Sequence, residues 1–232
     1  MTSLSKTVRI AGFIYLLLIL AAPIRLIYIP GQLFAHGDAA ATAANVAAHA
    51  WLFRLGILSD VFTAAISLFL TLALYRLFKP VNRNLALIML MFGFMDTPLY
   101  LFNVLNDSAA LIIVRGNDFL AAFDKPQRDA LVTLFLRMHG QAIVAAETFW
   151  GLWLFPLAML VFRSGFLPRF LGIWLGLNGM GYLILSVIGL LSPQFEDTVS
   201  NIIFPAQLGE VAFMLWMLVM GARTRAHSTQ AH

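Results

Sequence analysis

Leu131–Phe162, LVTLFLRMHGQAIVAAETFWGLWLFPLAMLVF, sets Arg137, His139, Gln141 and Glu147 inside the longest apolar run of the chain. Ionisable side chains in a hydrophobic span are costly, so they ask for partners on other segments. Other apolar runs supply them: Asp60, Asp96 and Glu210 as carboxylates, Arg25 and Arg54 as cations. Carboxylates held at depth can take a cation, a proton or a small polar or amphipathic molecule. A carboxyl left without a cationic partner could also serve as a general acid, and His139 with Glu147 could form an acid–base pair.

Several chemistries are excluded or left thin. With no cysteine there is no disulfide, no thiol nucleophile and no Cys-ligated metal. Zinc wants two or three His with carboxylates at close spacing. His139 is the His within or beside an intramembrane stripe. His36 and His49 fall in the first outer loop, and His227 and His232 in the tail. A metal would need that loop to fold His49 onto His139 and a carboxylate, so no metal is assigned. An intramembrane serine protease of the rhomboid type would show Gly-x-Ser-Gly and a later His. Ser164 stands between Arg163 and Gly165 at a helix end, with no such His following in a helix. The His triad of an alkaline-ceramidase-like hydrolase is missing too. No phosphate loop, dinucleotide fingerprint or haem-type His pair occurs, and no cofactor is expected.

The elements that must position these residues are membrane helices. Of the 232 residues 61% are hydrophobic and 11% charged, far from the ~25% charged of soluble domains. Crossing a bilayer takes ~20 apolar residues. Runs at 8–29, 53–78, 84–106, 131–162, 167–191 and 199–222 meet that length. In lipid every backbone polar group must be satisfied internally, and runs this continuous are helices rather than barrel strands. The expectation is an all-α, polytopic bundle of six transmembrane helices over residues 1–226, with a cytoplasmic tail at 227–232. Lys6 and Arg9 followed by Ile10–Leu20 resemble a signal peptide. The apolar run continues to Tyr28 without a small-x-small cleavage site, so it reads as a retained first helix.

Loop charge gives the threading. Lys6, Arg9, Arg76, Lys79, Arg83, Arg163, Arg169, Arg223 and Arg225 all fall on one side. Asp107, Arg115, Asp118, Asp124, Lys125, Arg128, Asp129, Glu196 and Asp197 form the mixed or acidic other side. Both termini are then cytoplasmic, and the chain is expected to be a multi-pass protein of the cell (inner/cytoplasmic) membrane. The net charge of +4 reflects this pattern rather than nucleic-acid binding. Asp38 is placed to cap an alanine-rich helix in the first outer loop. Ser108–Phe123 is expected to form a second outer connection, with a short interfacial helix or re-entrant piece. The glycines of the fifth run (Gly172, Gly176, Gly179, Gly181 and Gly189) read as tight bundle packing rather than a hinge or dimer face.

Heights follow from the inner arginines at ~1.5 Å per helical residue. Asp60, Glu147 and Arg25 each lie sixteen residues from Arg76, Arg163 and Arg9, respectively; Asp96 and Glu210 lie thirteen from Arg83 and Arg223. That puts the first three roughly 24 Å up and the last two about 20 Å, in a core ~30 Å thick. Arg54, Arg137 and His139 lie higher, near the outer rim. Gly56, Asp60, Thr63, Ser67 and Thr71 share one helical stripe. Gly93, Asp96, Tyr100, Asn103 and Asp107 share another. A break near Gly140 would shorten the long fourth helix.

RIAGFIYLLLI, GDAAATAAN, FRLG, LFKPVNRNLAL and RSGFLPRFLG run from the first helix to the fifth. With them the chain resembles the bacterial multi-helix membrane family catalogued as domain of unknown function number forty-three eighty-six. The resemblance implies an integral membrane protein and carries over no catalytic role. Chemistry must come from the residues. They point to an outward-opening polar cavity of Asp60, Asp96, Glu147, Glu210, Arg54, Arg137 and His139 that binds or transports a cation, proton or small polar or amphipathic ligand. Two alternatives stand beside it. One is an outward-facing intramembrane enzyme, acid–base or metal-assisted. The other is a structural or sensory subunit whose charges only tie helices together.

Overall fold

The computed structural model describes residues 3–116 and 118–222. Arg223, Arg225, His227, His232 and the expected tail lie outside the described residues. Among the described residues the regular structure is helical, with no strand. Six helical stretches are long and apolar enough to cross a membrane: Ser3–Leu33, Ala50–Phe78, Arg83–Arg115, Lys125–Ser164, Arg169–Leu191 and Pro193–Met220. The chain is an integral, multi-pass membrane protein.

The first span is α1 (Ser3–Pro23), a π-helical turn (Ile24–Tyr28) and α2 (Ile29–Leu33). Pro23 and Pro30 lack amide donors, so the ladder around them cannot run as a regular α-helix. The wider turn between them carries Arg25, which is buried. Single π turns inside α-helices often mark functional positions. α3 (Ala39–Ala48) is capped by the Asp38 carboxylate, which accepts from the Ala41 amide at 2.8 Å. The second span, α4, covers Ala50–Phe78.

The third span breaks in its middle. α5 (Arg83–Gly93) begins at Asn82, whose side chain accepts from the Leu85 amide. It stops at Phe94–Met95, and α6 (Asp96–Arg115) starts afresh. Pro98 explains the break: it cannot donate to the Phe94 carbonyl and its ring crowds that group. A carboxylate in the first turn of a helix is stabilised by the helix dipole, and Asp96 takes that position.

Two expected boundaries need correction. α6 does not end at 106. It runs to Arg115 and closes on Gly116, whose φ of 68° is the left-handed conformation suited to glycine. Asp107 and Arg115 are therefore helical, and the second connection is only a short link with one 3₁₀ turn, Asp118–Leu120. The polar cluster Asn103, Asn106 and Asp107 turns inward from a helix that carries on. Likewise α7 (Lys125–Ser164) takes in Lys125, Arg128 and Asp129. It starts at a capping box between Asp124 and Gln127 and passes Gly140 without a break. α8 (Arg169–Leu191) and α9 (Glu196–Leu215) follow, and a second π turn, Trp216–Met220, ends at Gly221.

The spans pack in chain order and close on themselves. α1 lies against α4, α4 against α5 and α6, these against α7, then α8, α9 and back to α1. Glycines set the closest approaches. A Cβ at Gly151 would stand 2.7 Å from the Gly179 carbonyl oxygen, and one at Gly172 2.7 Å from that of Ala158, so α7 and α8 meet backbone to backbone. α1 meets the last turn the same way at Gly12, 2.7 Å from the Leu218 nitrogen.

Two apolar cores result. One, at the end holding the N-terminus, gathers Val8, Leu74, Phe78, Leu157, Leu171 and Phe213. The other gathers Ile29, Leu33, Val46, Phe53, Ala110 and Leu136. Along their spans, Arg25, Asp60, Asp96, Asp107 and His139 lie between residues of the one core and residues of the other. The outside is apolar as well (Ile27 is 71% exposed and Leu191 79%), as a lipid-facing surface must be.

Candidate functional site

The polar layer divides into two sites that share α6. In the first, Asp96 at the head of α6 and Glu210 on α9 line one cavity of about 220 Å³. The Trp150 indole donates to Asp96 Oδ1 at 2.5 Å. The Tyr15 hydroxyl donates to Glu210 Oε1, and the Asn178 amide to Oε2 at 3.0 Å. Tyr182 stands beside Glu210, and its ring meets Trp150 edge-on at 5.5 Å. Trp153 meets Tyr15 edge-on at 6.2 Å, and Tyr100 completes an aromatic wall.

All six spans contribute to this cavity, and none contributes a Lys, Arg or His. Each carboxylate is held by neutral donors only. Gly93 is needed for the close approach of α5: a Cβ there would fall 2.6 Å from Thr71 Oγ1 and 2.8 Å from Trp153 Nε1. On the α1 side the wall is apolar, with Ile19, Ala22, Pro23 and Leu26, and Pro23 reaches the exposed surface of the bundle.

The second site is closed. Arg25 grips Asp107 with two parallel bonds, Nε to Oδ2 at 2.5 Å and Nη2 to Oδ1 at 2.6 Å. This is the fork geometry in which guanidinium and carboxylate bind most strongly. The Phe34 and Phe53 rings flank the guanidinium at 5.6 and 5.8 Å. His139 Nδ1 lies 3.2 Å from Asp107 Oδ1. Asp60 is fully buried, and neither of its oxygens has a hydrogen-bond partner.

The expected site residues thus separate. Asp96 and Glu210 meet in the cavity. Asp60 and His139 meet around Asp107. Glu147 lines neither: it is half-buried, with Glu196 at the start of α9 and Tyr182 of the cavity wall as electrostatic neighbours. Eight residues of helix, ~12 Å of rise, separate it from His139, so the two form no acid–base pair. Arg54 and Arg137 are exposed, and Arg137 borders a shallow surface hollow with Phe34 and Asp38. Arg54 is off the Gly56–Asp60 stripe, facing away from it. His49 is exposed, with Nδ1 3.2 Å from the Asn45 carbonyl, and does not reach His139. Asp107 is the site residue that loop counting hid. Its spacing of four from Asn103 on one polar stripe is the signal that reveals it.

The model of the family described as Domain of unknown function (DUF4386) matches residues 10–221. A curated protein of Archaeoglobus fulgidus described as "Uncharacterized protein" is 26% identical over 151 residues, which cover 65% of this chain and 74% of that protein. No solved structure matches.

Proposed function

The chain belongs to the family of Domain of unknown function (DUF4386), and we propose that it binds, and moves within the membrane, a small organic cation of the amine or quaternary ammonium class. One observation carries this reading. Asp96 and Glu210 face one cavity whose lining holds five tyrosines and tryptophans (Tyr15, Tyr100, Trp150, Trp153, Tyr182) and no cationic side chain. Aromatic faces attract ammonium groups, each contact being worth ~2 kcal/mol or more once desolvated. Carboxylates without a cation in a low-dielectric interior call for one from outside.

The size fits a small ligand, below the ~300 Å³ at which drug-sized pockets begin. The apolar wall of α1 suits alkyl substituents on the ammonium. The end bearing Lys79, Arg83, Arg163 and Arg169 is taken as cytoplasmic. With the N-terminal apolar core closing that end, the ligand reaches the cavity from the opposite end or sideways past Pro23.

Trp150 and Trp153 give a direct readout. Tetramethylammonium and butyltrimethylammonium titrated into purified protein should change tryptophan fluorescence saturably, and the neutral isostere 3,3-dimethylbutanol should not. Equal response to the neutral compound would sink the reading.

A further inference from the structure

We infer that Asp60, Asp107 and His139 form a binding site for one divalent transition-metal cation of the zinc class, independent of the aromatic cavity. The three residues come from α4, α6 and α7. Each offers one ligand atom, and the three atoms all lie within 4.8 Å of one another. All three residues are buried, His139 the most exposed at 4%.

The second observation is that Asp60 is a buried carboxylate without a hydrogen-bond partner. Both Asp60 oxygens lack a hydrogen-bond partner, and so does His139 Nε2. A buried carboxylate left unpaired costs several kcal/mol. Arg25 is close enough to attract it, but both of its hydrogen bonds go to Asp107, so Asp60 is left without a donor. Counting Arg25 against Asp60 and Asp107 leaves one negative charge uncompensated, so the site wants a cation.

Geometry favours a metal. His139 Nδ1 and Asp107 Oδ1 stand 3.2 Å apart. Two ligands at ~2.0–2.1 Å from a tetrahedral ion are separated by about 3.3 Å. Arg25 then plays the part that outer partners play around metal carboxylates: it fixes the plane of Asp107 and leaves its Oδ1 a free lone pair. Phe34 and Phe53 hold the guanidinium in turn.

Ligand type narrows the ion. One imidazole with two carboxylates suits zinc, iron, nickel or manganese, whereas magnesium and calcium take oxygen alone and copper(I) wants sulfur. Asn103, one turn before Asp107, is 1% exposed with an unpartnered Oδ1. It provides another oxygen on that face of α6.

The test uses the full chain in detergent, without a histidine tag, incubated with zinc and then freed of loose metal by gel filtration. About one zinc per chain is expected by elemental analysis. Cobalt in its place should give the visible absorption bands of a low-coordinate site. Asp60→Asn and His139→Ala should each lower occupancy at least tenfold, while Asp96→Asn and a His36→Ala/His49→Ala double variant keep it. The inference is overturned if wild type retains no metal, in which case a proton supplies the missing charge. It is equally overturned if Asp60→Asn/His139→Ala protein still binds zinc stoichiometrically. Should either variant fail to fold, the wild-type stoichiometry and cobalt spectrum decide alone.

Discussion

At the scale of single residues, the buried charges fall into those that satisfy one another and those that do not. Arg25 and Asp107 are a fork-to-fork pair in a low-dielectric interior. Removing one member of such a pair strands the other, at a cost of about 3–5 kcal/mol. Arg25→Ala should therefore lower the melting temperature in detergent sharply, and Arg25→Met/Asp107→Leu should recover most of the loss. If the double variant is no more stable than Arg25→Ala, the pair is not what holds α6 to the first span. Much of this level was legible in the sequence. Counting residues from the basic turns picked out Asp96 and Glu210 as a matched pair, because height is set by helical rise alone. Height does not say which way a side chain points. That is why Arg54 and Arg137, at the right level for a rim, stand on outward faces. Asp107 escaped for a different reason: the expected span stops at 106, which leaves Asp107 among the outer-loop charges although it shares a stripe with Asn103 on a helix that continues to Arg115.

Among the elements, the break in the third span matters most for chemistry. Pro98 and Gly93 end α5 and start α6 in the middle of the membrane stretch, which puts Asp96 at a helix N-terminus within the cavity. Pro98→Ala restores the missing donor and lets the helix run through. It should re-aim Asp96 and weaken tetramethylammonium binding by roughly tenfold, or ~1.4 kcal/mol. Unchanged affinity would show that the break does not position the carboxylate. Glycines supply a stability test. Gly151→Ala puts a Cβ 2.7 Å from the Gly179 carbonyl and should cost ~1–3 kcal/mol by prying α7 from α8. Gly140→Ala, with nothing within 4 Å, should be neutral or add up to ~1 kcal/mol of helix preference. Thermal melts of the two variants should move apart, and equal melting would contradict the packing described. Helix existence was plain from apolar length, since lipid leaves the backbone no other choice. Helix ends were not: caps at Asp124 and Gly116 lie beyond the apolar stretch, among residues that read as loop.

For the whole molecule, six spans close in chain order around a polar layer held between two apolar cores. The proposed orientation, with the basic turns at the cytoplasmic end, rests on loop charge alone, and the chain is well suited to a direct check because it has no cysteine. A membrane-impermeant maleimide added to intact right-side-out vesicles should label Lys125→Cys and spare Lys79→Cys; the reverse pattern would turn the molecule over. What the polar layer binds decides the function. Tryptophan fluorescence should be followed as tetramethylammonium is titrated into wild type and into Asp96→Asn/Glu210→Gln. Saturable binding by wild type, and its loss in a variant that still melts cooperatively, is the predicted result. An identical binding curve in the folded double variant would contradict a cation site at Asp96 and Glu210.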